Sequence, residues 1–188
     1  EAITRGTALA SQFPNDPIIP NIFGAIYAGL GQFKDAITNY NKAIELKPAY
    51  AEAHYNLGNA LNELGKYEAA TAHYSKATEL KPEYATAHNN LGNALNKLGK
   101  HEDAINSYNK AIKLKPDYAE AHNNLGNALN ELGQHEEAIA ICNKAIELEP
   151  SFSEAHNNLG NAFNELGKYE DAINSYDKAI ELKPSFSE

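Results

Sequence analysis

Residues 51–84 read AEAHYNLGNALNELGKYEAATAHYSKATELKPEY, and this 34-residue pattern recurs along the chain. The prolines that close successive copies are 34 residues apart (82 − 48 = 34), at Pro48, Pro82, Pro116, Pro150 and Pro184. Leu-Gly pairs keep the same spacing, at Leu57-Gly58, Leu91-Gly92, Leu125-Gly126 and Leu159-Gly160. A fixed period of about 20–50 residues predicts a stack of similar supersecondary units.

Five repeats follow from this spacing, the first of them the most divergent, over residues 17–50, 51–84, 85–118, 119–152 and 153–186, called repeats 1–5 below. Residues 1–16 are interpreted as the second helix of a degenerate preceding repeat, because Glu1-Ala2-Ile3 aligns with Asp35-Ala36-Ile37. Residues 187–188 are interpreted as the start of a truncated next repeat. We therefore expect the chain to be a piece of a longer array.

Each repeat is predicted to contain two helices. In repeat 2, Leu57, Leu61 and Leu64 recur at helical spacing, and Gly65 follows as the residue that best tolerates a left-handed C-cap. A second helix is predicted to begin near Tyr67 and to end before the proline, which lacks an amide donor. Gly58 and Ala77 are small residues where the two helices must approach closely. One such pair cannot bury its own apolar faces, so the array is predicted to be stabilised by stacking.

The repeat resembles the tetratricopeptide repeat, whose signature requires Leu-Gly, then Leu or Tyr, Ala, an aromatic residue, Ala and Pro at fixed offsets. Repeat 3 supplies these as Leu91-Gly92, Leu95, Ala104, Tyr108, Ala111 and Pro116. The opening large residue, usually tryptophan, is replaced by His54, His88, His122 and His156. The resemblance implies an all-α fold, a right-handed α-solenoid of stacked antiparallel helix pairs forming a superhelix.

Asparagines form a stripe on the first helices of repeats 2–5. On a helical wheel they lie opposite the leucines that face the core, and they are Asn59 and Asn62; Asn89, Asn93 and Asn96; Asn123, Asn127 and Asn130; and Asn157, Asn161 and Asn164. We call these the stripe asparagines. The first helices of tetratricopeptide arrays line a concave groove, so the resemblance places the stripe inside it. The stripe is interrupted in repeat 1, where Ile18, Asn21, Ala25 and Ala28 take these positions.

A second set, which we call the flanking asparagines, comprises Asn56, Asn90, Asn124 and Asn158. These positions resemble the asparagine ladder of O-linked N-acetylglucosamine transferase, which grips the backbone of an extended polypeptide. An amide offers two donors and one acceptor at any pH, which matches the alternating groups of a peptide main chain. Alternatively, recent duplication copied one solvated polar surface four times.

The balance of charged residues indicates which classes of partner the chain binds. The chain has 16 Lys and Arg against 25 Asp and Glu, a formal net charge of -9, which argues against nucleic-acid binding. The apolar stretch 18–30 contains Pro20 and Asn21 and is too short for a membrane span. Glu52, Glu120 and Glu154 on the groove side are expected to favour neutral or basic peptide segments. A cytoplasmic location is expected from the absence of targeting signals.

No cofactor or metal site is expected. Histidines one repeat apart lie on helices about 8–10 Å apart, while zinc ligands must lie about 2.1 Å from one ion. We interpret the four histidines as packing residues with hydrogen bonds at the repeat interface. Cys142 replaces the tyrosine of the other repeats and is interpreted as a small buried hydrophobe.

The sequence contains no phosphate loop, nucleophile elbow or catalytic constellation, so it is not interpreted as an enzyme. The first hypothesis is a protein–protein interaction scaffold that binds an extended or helical peptide in its groove. The second is the substrate-recognition arm of a larger enzyme, such as a glycosyltransferase or sulfotransferase. The third is head-to-tail self-association through repeat ends, with an exposed edge near Phe163, Ala172, Tyr176 and Ala179.

Overall fold

A computed structural model describes residues 12–183, which form ten α-helices. The first helices of repeats 1–5 are α1 (Ile18–Gly29), α3 (Ala51–Glu63), α5 (Ala85–Lys97), α7 (Ala119–Glu131) and α9 (Ser153–Glu165). The second helices are α2 (Phe33–Leu46), α4 (Tyr67–Leu80), α6 (His101–Leu114), α8 (His135–Leu148) and α10 (Tyr169–Leu182). The all-α array of antiparallel helix pairs is therefore confirmed. The predictions for residues 1–11 and 184–188 lie outside the described residues.

The helices fall into two compact units, divided after Leu98. The N-terminal unit contains α1–α5, and the C-terminal unit contains α6–α10. In the N-terminal unit α1 packs against α2, and α3 packs against α4. In the C-terminal unit α7 packs against α8, α9 packs against α10, and α7 also contacts α9. First helices of consecutive repeats are thus neighbours within this unit, which brings their asparagines together.

The predicted signals set the ends of the helices in repeat 2. Gly65 follows α3 with φ of +68°, the left-handed conformation predicted for it. Its N–H donates to the Asn62 carbonyl, and the Lys66 N–H donates to the Leu61 carbonyl, both at 2.9 Å. These two bonds form a Schellman motif and satisfy carbonyls at the helix end. Helix α4 then ends at Leu80, before the proline, as predicted.

Close approach of the paired helices explains the glycine of the Leu-Gly pairs in repeats 2, 4 and 5. A Cβ atom added to Gly58 would lie 2.7 Å from Cδ1 of Tyr74 on the facing helix. Tyr74 is 1% exposed, and Ala70 and Ala77 beside it on α4 are buried. The small residues therefore allow the tyrosine ring to fill the space between the two helices, as predicted for Gly58 and Ala77.

The first helix of repeat 1 begins with a side-chain cap. The Ile18 N–H donates to Oδ1 of Asp16 at 2.9 Å, and Pro17 has helical φ and ψ of -66° and -18°. Proline is suited to this first helical position because its missing amide would have no partner there. Within residues 12–183, no helix combines the length and the apolar content needed to cross a bilayer.

Candidate functional site

An asparagine-lined cavity lies in the C-terminal unit, between the first helices α7 and α9 and the last two turns of α10. Its volume is about 830 Å³. The lining residues include five predicted asparagines and are Asn123, Asn124, Asn127, Ser153, Glu154, Asn157, Asn158, Tyr176, Ala179, Ile180 and Lys183. We call this cavity the C-terminal groove. It combines amides, one ion pair and an apolar wall.

The N-terminal unit has a smaller cavity of about 320 Å³, lined by Asn59, Asn62, Glu63, Tyr74, Asn90 and Asn93. The two cavities together bring stripe and flanking asparagines to accessible surfaces. The remaining predicted residues line neither of them, namely Asn56, Asn89, Asn96, Asn130, Asn161 and Asn164. Asn89 departs furthest from the predicted groove position because its side chain is 0% exposed and hydrogen-bonds Asn90, so no ligand can reach it.

The flanking asparagines connect the first helices of consecutive repeats. Nδ2 of Asn56 donates to Oδ1 of Asn21 at 3.1 Å, and Nδ2 of Asn158 donates to Oδ1 of Asn123 at 2.9 Å. Asn123 is consequently only 6% exposed, although it forms part of the groove wall. Part of the hydrogen-bonding capacity predicted for a ligand is therefore used inside the array.

Tyrosines of the second helices bind stripe asparagines, a contact that the sequence analysis missed. The Tyr74 hydroxyl donates to Oδ1 of Asn59 at 2.8 Å, and the Tyr176 hydroxyl donates to Oδ1 of Asn161 at 2.9 Å. Burial raises the pKa of Tyr74, which keeps its hydroxyl protonated and able to donate. The constant spacing of 15 residues between each pair was the available signal.

Two lysines of the Lys-Pro dipeptides pair with glutamates at the start of first helices. Nζ of Lys81 lies 3.4 Å from Oε1 of Glu52, and the Lys183 ammonium group pairs with the Glu154 carboxylate. The bond from Lys183 holds the pKa of Glu154 below its usual value. These pairs locally compensate two of the three glutamates predicted to attract basic segments. In repeat 4 the position of this lysine is taken by Glu149.

The four histidines connect the first helices of repeats 2–5 to the loops that precede them. Their Nε2 atoms lie 3.0–3.1 Å from a proline carbonyl six residues earlier, in the pairs His54–Pro48, His88–Pro82, His122–Pro116 and His156–Pro150. A carbonyl can only accept, so Nε2 carries the proton. These bonds give the histidines the packing role that was predicted. Within the described range 12–183, no three His, Cys, Asp or Glu side chains are grouped to hold a metal ion.

Cys142 is 0% exposed, and burial raises the pKa of its thiol to about 12. A thiol this protonated is a poor nucleophile, because the thiolate is the reactive form. Its Sγ lies 2.5 Å from the position of a Cβ added to Gly126, in the place that tyrosine rings occupy in other repeats. The predicted interpretation as a small buried hydrophobe is confirmed.

The sequence matches the family described as TPR repeat over residues 24–65, 58–99 and 92–133. It matches the tetratricopeptide repeat family over residues 119–152 and 153–186. The chain belongs to the tetratricopeptide repeat family. Proteins of this family generally take part in protein–protein interactions. No curated protein matches the chain in sequence.

Several solved TPR structures are similar over nearly their whole length. YrrB, described as a TPR protein with an unusual peptide-binding site, is 26% identical with a TM-score of 0.82, covering 96% of this chain and 93% of YrrB. MamA is 28% identical with a TM-score of 0.80, covering 86% of this chain and 94% of MamA. A thermophilic TPR protein of Thermus thermophilus is 25% identical with a TM-score of 0.71, covering 90% of this chain and 93% of that protein.

Proposed function

We propose that this TPR chain is an interaction scaffold that binds an extended or helical peptide segment in the C-terminal groove. The observation that carries the proposal is the composition of that groove. Asn127 and Asn157 line it, and neither side chain has a hydrogen-bond partner within residues 12–183. Tyr176 and Ile180 supply apolar surface beside them. Neutral amides beside an apolar wall suit a peptide main chain with apolar side chains.

Two features favour neutral or basic segments over acidic ones. The net charge of the chain is -9, and repeat 4 has Glu149 where repeats 1, 2, 3 and 5 have lysine. A basic peptide is therefore attracted at long range, while acidic tails are repelled. The peptide-binding site of YrrB, a protein of the same fold, supports a peptide as ligand. We also propose that the flanking asparagines correspond to the ladder of O-linked N-acetylglucosamine transferase. Asn56 and Asn158 already donate within the array, so only part of their hydrogen-bonding capacity is left for a ligand.

The proposal is tested with fluorescein-labelled 12-residue peptides capped at both ends. The neutral series alternates leucine and serine, and the basic and acidic series replace half the serines with lysine or glutamate. We expect anisotropy titrations to show binding in the order basic, neutral, acidic. The double variant Asn127→Ala/Asn157→Ala is expected to weaken binding about tenfold, since it removes two hydrogen bonds of about 0.5–1.5 kcal/mol each.

The matched control is Asn143→Ala/Asn174→Ala, because both residues are exposed on second helices and line neither cavity. Its affinity should equal that of the wild type. Equal losses in the two double variants would assign the effect to general polarity and would reject the groove. Tightest binding of the acidic series would reject the proposed charge preference.

The same binding role also suits the substrate-recognition arm of a larger enzyme, such as a glycosyltransferase or sulfotransferase. In either setting we propose that the described residues bind rather than catalyse. A catalytic domain encoded after Glu188 in the parent gene would favour the hypothesis that the chain is a substrate-recognition arm.

Self-association is a second candidate, favoured by the exposure of α10. Ile173 and Ile180 are 58% and 65% exposed, whereas Ile112 and Ile146, which match Ile180 in repeats 3 and 4, are partly buried. Of the edge residues predicted from the sequence, Ala172 is buried and makes no exposed surface. We expect sedimentation velocity to show oligomers that grow with concentration, and Ile173→Glu/Ile180→Glu to sediment as a monomer. A wild-type chain that stays monomeric at the highest concentrations would exclude this contact.

A further inference from the structure

We infer that Asn127 is the residue that sets the register of a peptide main chain in the C-terminal groove, and that the tyrosine-to-cysteine replacement at Cys142 makes it available. This inference rests on the proposed function, because it names the contact through which the groove holds its ligand. It assigns Cys142 a positioning role, since the thiol lies beneath the groove and does not contact a ligand.

Repeats 2 and 5 show what a tyrosine does at this position. Tyr74 and Tyr176 each donate a hydroxyl hydrogen bond of 2.8–2.9 Å to the stripe asparagine 15 residues earlier. Asn59 additionally accepts from Asn90 at 3.0 Å. These bonds occupy lone pairs of the amide oxygen and fix the orientation of the amide plane. The amide oxygen of an asparagine held in this way is used for contacts within the array.

Repeat 4 has the asparagine but lacks the hydroxyl. Asn127 is 15 residues before Cys142, and the buried thiol cannot replace a tyrosine hydroxyl at the tip of a ring. Asn127 has no hydrogen-bond partner in the part of the chain that the structure describes, and it is partly exposed on the groove wall. Its amide therefore keeps two donors and an acceptor for a ligand.

A free amide can engage both polar groups of a peptide main chain. Nδ2 donates to a carbonyl while Oδ1 accepts from an amide N–H, so the side chain prefers one register of an extended segment. Asn157 offers a second amide on the next first helix of the same unit, and Ile180 receives an apolar side chain of the bound segment. The ligand class is accordingly an extended peptide, recognised mainly by main chain and by one apolar residue.

The replacement can be reversed without changing a groove residue. At Gly58 and Gly160 a tyrosine ring takes the space that a Cβ atom would need, and repeat 4 keeps the same glycine as Gly126. Cys142→Tyr is thus expected to fold and to donate a hydroxyl hydrogen bond to Oδ1 of Asn127. Cys142→Phe is the matched control, because it introduces the same ring without the donor.

The experiment titrates the basic-series peptide described above into the wild type and both variants, followed by fluorescence anisotropy. We expect Cys142→Tyr to weaken binding about three- to tenfold, and Cys142→Phe to stay within about twofold of the wild type. Without ligand, the Asn127 side-chain carbonyl 13C resonance is expected to shift in Cys142→Tyr and not in Cys142→Phe.

The outcomes separate this inference from the proposed function. Unchanged binding by Cys142→Tyr overturns the inference, and a loss in the Asn127→Ala/Asn157→Ala variant would then still support the groove. Equal losses in the tyrosine and phenylalanine variants also overturn it, because they assign the effect to ring volume. Failure of the wild type to bind any of the three peptide series overturns the proposed function and this inference with it.

Discussion

Replacing Gly58 with alanine is expected to lower the free energy of unfolding by about 2 kcal/mol, because overpacking a close helix contact costs about 1–3 kcal/mol. The added methyl group would lie 2.7 Å from both Cδ1 and Cε1 of Tyr74. The ring is 1% exposed and its hydroxyl is bonded to Asn59, so it cannot rotate away without losing that bond. The two helices of repeat 2 must then separate.

The matched control is Gly29→Ala, at the last residue of α1. Apart from its chain neighbours and the backbone of its own helix, no atom of the described residues lies within 4 Å of a Cβ added there, and the residue is helical. This variant should keep or raise the stability, by up to about 1 kcal/mol from helix propensity. Urea unfolding followed by circular dichroism measures both. Equal midpoints for Gly58→Ala and the wild type would show that the helix pair has room to adjust.

The helices were predictable because their signals are local. A 34-residue period, a glycine after each first helix and a proline after each second helix determine the element ends without reference to neighbours. The left-handed φ at Gly65 and the end of α4 at Leu80 follow directly from those residues. Because each repeat supplies the same signals again, an ambiguity in one copy is removed by the others.

The groove was only partly predictable, since a helical wheel gives a direction but no distance to the next helix. It placed Asn89 and Asn93 on one stripe, whereas the structure buries the first and leaves the second on a cavity wall. It also gave no information on second helices, so the tyrosine contacts to Asn59 and Asn161 were missed. Contacts between repeats depend on how closely first helices pack, which no single repeat encodes.

Charge was predictable in sign but not in its local balance. The sequence shows Glu52 and Glu154 at the start of first helices, but their lysine partners lie 29 residues later in the chain. Only the packing of a second-helix end beside a first-helix start brings the two together. These exposed pairs are worth little to stability, about 0–1 kcal/mol each, yet they reduce the acidity that a ligand meets.

Tyr74→Ala is expected to have the largest effect of any substitution proposed, a loss of about 3–5 kcal/mol from the free energy of unfolding. The ring belongs to the hydrophobic core of the N-terminal unit, with Leu57, Ala60 and Ala70 in the same buried cluster. Removing it leaves a cavity between α3 and α4, and the backbone at Gly58 has no side chain with which to fill it. Urea unfolding of the purified chain measures the loss.

Tyr74→Phe separates the ring from its hydroxyl and completes this prediction. It keeps the packing and removes the bond to Asn59, so the loss should be about 1 kcal/mol. A phenylalanine variant as unstable as Tyr74→Ala would show that the hydrogen bond, and not the ring, holds repeat 2 together. Because Asn90 still donates to Asn59 at 3.0 Å, losing the hydroxyl alone does not free that amide. Repeat 4 differs because Asn127 has neither a tyrosine hydroxyl nor a flanking asparagine as a partner among the described residues. The cysteine at position 142 therefore leaves the Asn127 amide available, whereas Tyr74→Phe should not free the Asn59 amide.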